Sequence, residues 1–61
     1  MKAKFTVNNY QLGAKVKSTP THKIESKERV DSKHTEIVYN DITEREYEFI
    51  CKVLARKGVV A

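Results

Sequence analysis

Cys51 is the one thiol of the chain, so thiolate chemistry would rest on it alone. A reactive cysteine needs a neighbouring base and an electropositive setting. Cys51 instead follows Tyr47 by four residues and precedes Leu54 by three, a spacing that sets it on the apolar face of a helix. It reads as a small packed side chain. A lone cysteine also excludes an internal disulfide and points to a reducing compartment. His22 and His34 are the 2 histidines, and they lack the paired spacing of a zinc site. No metal and no cofactor are expected.

Two carboxylate pairs stand at helical or strand spacing: Glu25 with Glu28, and Glu44 with Glu48. The second pair falls where a helix N-terminus favours negative charge, and Glu48 faces Lys52 one turn on. A chain of 61 residues leaves no length for a cleft that would desolvate these acids. Gly13 and Gly58 are the 2 glycines, so neither a phosphate-cradling loop nor a dinucleotide fingerprint is present. Nothing assembles a nucleophile, a base and an oxyanion donor in a sheltered site. The chain reads as a non-enzymatic binding protein, with no small-molecule substrate expected.

Charge is the more informative signal. The net charge is +4, from 12 basic and 8 acidic residues. Lys2, Lys4, Lys15, Lys17 and Lys23 precede the first acid, Glu25, and all 8 acids lie between Glu25 and Glu48. A basic balance favours polyanionic partners, although a net charge of this size also serves solubility. No apolar run reaches the length of a leader or of a membrane span. A cytoplasmic protein with no membrane partner is expected.

The elements that must position these charges follow from periodicity. Lys2–Asn8 alternates strictly, with Ala3, Phe5 and Val7 on one face. A turn or irregular stretch follows from Asn8 to Gly13. Ala14–Lys17 alternates again and reads as a second strand. Ser18-Thr19-Pro20 breaks it, since proline has no N–H to give a central ladder. His22–Val30 reads as a weak strand, Asp31-Ser32-Lys33 as a hairpin loop, and Thr35–Asn40 as a better strand. Residues 18–33 are the least defined stretch.

Thr43-Glu44-Arg45-Glu46 reads as a capping box, with Ile42 and Tyr47 spaced as a hydrophobic staple. It opens a helix expected over 44–57, with acids in the first turns, bases in the last and Gly58 at the left-handed stop. Val59 would then touch Leu54. The expected fold class is α+β: a small three- to four-stranded antiparallel β-sheet over residues 2–40, with one C-terminal α-helix packed on one face (β-β-β-α). The chain forms a single domain, 1–61. The expected core is Phe5, Val7, Val16, Ile24, Ile37, Tyr39, Tyr47, Ile50 and Leu54.

Two surfaces follow. If the apolar set faces the helix, alternation sends Lys2, Lys4, Lys15, Lys17, Lys23, Lys27 and Arg29 to the outer sheet face, interrupted only by Glu25 and Glu36. Such a face could lie on phosphates, with Thr6 and Asn8 as hydrogen-bonding groups. It lacks aromatics for base stacking, and lysine reads guanine less well than arginine. The second surface is the helix. Its apolar residues spread over roughly 200°, whereas a helix on one sheet needs a stripe only a little over 100° wide. Either the 8–13 loop, with Tyr10 and Leu12, folds over the excess, or Phe49 and Val53 stay exposed beside Arg56. An aromatic beside arginine is interface composition. The first expectation is therefore a DNA-binding or other nucleic-acid-binding accessory or regulatory domain. The alternative is a protein-interaction module, an inhibitor or adaptor, that uses Phe49, Val53 and Arg56 or an open strand edge. A homodimer through that flank is a further expectation.

Overall fold

The structure, a computed structural model, describes all 61 residues. It is a compact α+β fold. Strand β1 (Ala3–Asn8) alternates in burial as its sequence requires: Ala3, Phe5 and Val7 are fully buried while Lys4 and Thr6 are exposed. Strands β2 (Ile24–Arg29) and β3 (His34–Tyr39) form a hairpin. Its turn is held by Asp31, whose carboxylate accepts from the backbone N–H groups of Lys33 and His34 at 2.7 and 2.8 Å. β3 pairs antiparallel with β1, setting Phe5 opposite Ile37 and Val7 opposite Thr35. A two-residue strand, β4 (Val59–Val60), closes on the far side of β1. The sheet order is β2-β3-β1-β4.

Helix α2 (Glu44–Leu54) begins with the reciprocal cap that its sequence announces. The Thr43 hydroxyl accepts from the Glu46 N–H at 3.1 Å, and the Glu46 carboxylate accepts from the Thr43 N–H at 2.8 Å. Ile50 and Leu54 pack into the core with Phe5, Val7, Val16, Ile37 and Tyr39. Ala3 and Ile42 join that core, while Ile24 and Tyr47 are only partly buried against it. The face of the sheet under α2 is called the inner face below. Phe5 meets Tyr39 edge to face on it, with centroids 5.7 Å apart.

Besides adding β4 after the helix, the structure departs from the sequence reading at Ala14–Lys17 and at the end of the helix. Ala14–Lys17 is one turn of α-helix, α1, not a strand. It follows a 3-10 turn over Asn9–Leu12. Four alternating residues satisfy either geometry, since Val16 reaches the core in both. The neighbours of β1 in the sheet are β3 and β4, and Ala14–Lys17 packs outside the sheet, against α2.

The helix also ends at Leu54 rather than Lys57. Ala55 takes the left-handed conformation (φ 55, ψ 41) that was expected of Gly58, and the Arg56 N–H closes on the Cys51 carbonyl at 3.1 Å. Gly58 is needed for a different reason. A Cβ there would stand 2.6 Å from Cζ of the buried Phe5 ring. The chain crosses that ring and enters β4, so Val59 pairs with Lys4 of β1. Residues 18–33 hold a 3-10 turn over Thr21–Lys23, then β2 and the hairpin turn.

Candidate functional site

Register decides which charges share a surface. Residues directly opposite in an antiparallel pair lie on the same face. Lys27 is opposite Ile37, and Arg29 is opposite Thr35. Both therefore lie on the inner face, at its β2 margin, rather than on the outer one. Lys15 and Lys17 are exposed on α1 and belong to no sheet face. Lys23 ends the 3-10 turn before β2 and pairs with Glu46 at the start of α2, Nζ to Oε1 2.9 Å. Lys2 pairs with Glu25, Nζ to Oε2 2.8 Å. Of the expected basic set, Lys4 alone stands unpaired on the outer face. Glu28 and Glu36 stand opposite each other on that same face, two strands of the ladder contributing one acid each. The sheet does not assemble a Lys-rich face.

The helix flank is split as well. Gln11 Nε2 donates to the Leu54 carbonyl at 3.2 Å, and Lys23 meets Glu46. Residues 11–23 therefore run antiparallel to α2 along its excess apolar arc. Within that run Val16 and Thr19 are buried, and Val53 on the helix is half-buried. The Thr19 hydroxyl hydrogen-bonds the Val16 carbonyl and shares a hydrogen bond with the Tyr39 phenol at 2.6 Å. Burial pushes the Tyr39 phenol above its ordinary pKa, and the Thr19 bond draws it partly back. Tyr10, one of the residues expected to cover the flank, is 80% exposed and does not. Arg56 turns away from Phe49, and its guanidinium donates to the Thr6 carbonyl at the β1 edge.

Phe49 remains 48% exposed. It forms part of an open groove of about 500 Å³ between residues 18–22 and the first half of α2. Pro20, Thr21, His22 and Arg45 line the groove with it. The one acid in the lining is Glu46. Its carboxyl is held below the ordinary range by the Thr43 backbone N–H and by the Lys23 ammonium. Glu46 is therefore already compensated, whereas Arg45 is in no ion pair. The groove offers an apolar wall with a free cation beside it. Sequence reading found Phe49 but missed Pro20, His22 and Arg45, because nothing local announces that residues 18–22 lie against the helix.

Other chemistry is sparse. Cys51 is half-buried against the core. His34 Nδ1 lies 3.0 Å from Asp31 within the hairpin turn. No three residues of the metal-ligating types are grouped to hold an ion. No helix is long and apolar enough to cross a membrane. Compared with protein-family models, curated proteins and solved structures, the chain matches none.

Proposed function

We propose that this chain is a binding module, not a catalyst, and that it holds a segment of a partner protein in the groove beside Phe49. The carrying observation is a half-exposed phenylalanine in a groove whose only acid is already neutralised. Aromatic and arginine side chains are the residues that carry most binding energy at interfaces. An apolar side chain of the partner would cover Phe49 and Pro20. Arg45 would pair with an adjacent carboxylate, in keeping with the net charge of +4. The groove is open and about 500 Å³ in volume, a size that suits an extended segment.

The test is selection of peptides from a random display library, followed by amide-shift mapping on labelled protein. Selected peptides should carry a large apolar residue beside an acid and should move residues 18–22 and 45–49. Phe49→Ala should bind them at least about tenfold more weakly, with its thermal midpoint nearly unchanged. A Phe49→Ala chain that unfolds would make Phe49 a core residue and remove the proposal's support. The nucleic-acid reading draws less support, because the lysines that motivated it are dispersed over α1, both sheet faces and two ion pairs.

A further inference from the structure

The second open feature is the free edge of β2. β2 lies at one end of the sheet, and every residue from Glu25 to Arg29 is exposed. The opposite margin of the sheet is closed. Val59 pairs with Lys4, the Ala61 N–H donates to the Lys2 carbonyl, and the Arg56 guanidinium donates to the Thr6 carbonyl. The Gln11 side-chain carbonyl accepts from the Asn8 N–H. No comparable cover lies along β2.

One bond sets the direction of the main-chain groups. The Val30 N–H donates to the His34 carbonyl at 3.1 Å. Alternation then turns the N–H and C=O of Glu28 and Ser26 toward β3, and those of Lys27 and Arg29 outward. The edge thus presents donors and acceptors at Lys27 and Arg29, ready for another strand.

Its side chains carry charges without counter-charges. Lys27 and Arg29 lie on the inner face and form no ion pair. On the outer face Glu28 stands directly opposite Glu36, and neither meets a cation. Like charges directly opposite in a ladder repel, so a cation brought to that position relieves a repulsion already present.

We propose that the β2 edge accepts an extended segment of another protein as an added antiparallel strand, with acidic residues opposite Lys27 and Arg29 and a basic residue opposite Glu28. Strand addition takes affinity from the main chain and specificity from alternate side chains. The same charges disfavour a second copy of β2. Setting Glu28 opposite itself puts Lys27 against Arg29, and centring the pair on Lys27 puts Lys27 against itself. The edge therefore deters its own kind while matching a strand of acid-base-acid alternation.

The experiment uses two capped peptides, each with three alternating charges flanked by valine and threonine. One carries Glu-Arg-Glu and the other Lys-Glu-Lys. Each is titrated into labelled full-length protein at low salt. The Glu-Arg-Glu peptide should shift the Lys27 and Arg29 amides, slow their hydrogen exchange and bind about tenfold tighter than its charge-swapped counterpart. A triple variant, Lys27→Glu, Glu28→Lys, Arg29→Glu, should reverse that preference. All three positions are exposed, and unchanged dispersion of the remaining amides would show the fold intact. Phe49→Ala should bind the peptide as the parent does, which separates this site from the groove. Equal binding of the two peptides, shifts confined to residues 18–22 and 45–49, or concentration-dependent line broadening at β2 without peptide would each overturn the proposal.

Discussion

Gly58 shows how one residue can be required for a reason that its surroundings in sequence misstate. Its place after a helix suggests a left-handed stop, yet Ala55 adopts that conformation and Gly58 does not. What Gly58 supplies is the absence of a Cβ above Phe5, three of whose ring carbons would lie within 2.9 Å of one. The ring is fully buried, packed edge to face on Tyr39 and tilted against Tyr47, so it has little room to yield. Gly58→Ala should therefore destabilise by about 1–3 kcal/mol, the usual range for overpacking. A thermal midpoint lower by roughly 4–8 °C per kcal/mol, as expected for a chain of this size, would be the readout. Ala55→Gly should do the opposite on a smaller scale, since a left-handed position favours glycine. Phe49 is the contrasting residue: the same aromatic chemistry, but left half open, so its truncation is expected to cost binding rather than folding.

At the scale of elements, α2 and the β2–β3 hairpin are both fastened by carboxylates. Thr43→Ala removes the side-chain half of the helix cap and should cost about 1 kcal/mol, read by thermal or chemical unfolding. The carboxyls of Glu46 and Asp31 both sit below their ordinary pKa. For Glu46 the causes are the Thr43 N–H and then the Lys23 ammonium; for Asp31 the first is the Lys33 N–H, with the His34 side chain and N–H adding to it. A carboxyl with a lowered folded pKa binds protons less readily in the folded state. Its stabilising contribution is complete above the unfolded carboxylate range, near 4, and disappears as pH falls through the lowered folded value. The thermal midpoint should thus stay level from neutral pH down to about 5 and then decline. Glu46→Gln and Asp31→Asn should each lower the plateau and flatten the decline. An unchanged acid limb in both variants would show that other carboxylates govern acid unfolding. β2 is the opposite kind of element, charged, exposed on both faces and paired on one side only. Its amides should exchange faster than those of β1 and β3.

The whole molecule spreads its positive charge rather than concentrating it. Lysines occupy α1, the outer face, the inner margin of β2 and the end of α2. Duplex DNA at about 50 mM salt should therefore produce, at most, weak shifts without a focus on the outer sheet face, and these should vanish by about 200 mM. Lys4→Glu should change them little. A compact footprint on Lys4, Thr6 and Asn8 that Lys4→Glu abolished would return the nucleic-acid reading to first place.

Strong local patterns were legible from sequence alone. The alternation of Lys2–Asn8 placed Ala3, Phe5 and Val7 on one face, because a strand turns successive side chains to opposite sides whatever it pairs with. The Thr43–Glu46 box set the start of α2, because a cap is closed by residues within one turn. Asp31-Ser32-Lys33 marked the hairpin for the same local reason. The excess apolar arc of α2 posed a choice between cover by the 8–13 loop and an exposed flank at Phe49 and Val53. The tertiary structure alone decided the outcome. Residues 11–23 lie along α2 and leave Phe49 half open, a contact between segments more than twenty residues apart that no short-range spacing encodes. It also decided the end of α2, where Ala55 takes the left-handed stop and Gly58 instead lies over the Phe5 ring. The sheet faces of the lysines depended on pairing register and on whether Ala14–Lys17 was a strand at all. A shift of one residue moves a side chain to the other face, so charge counted along the chain could not say which cations share a surface.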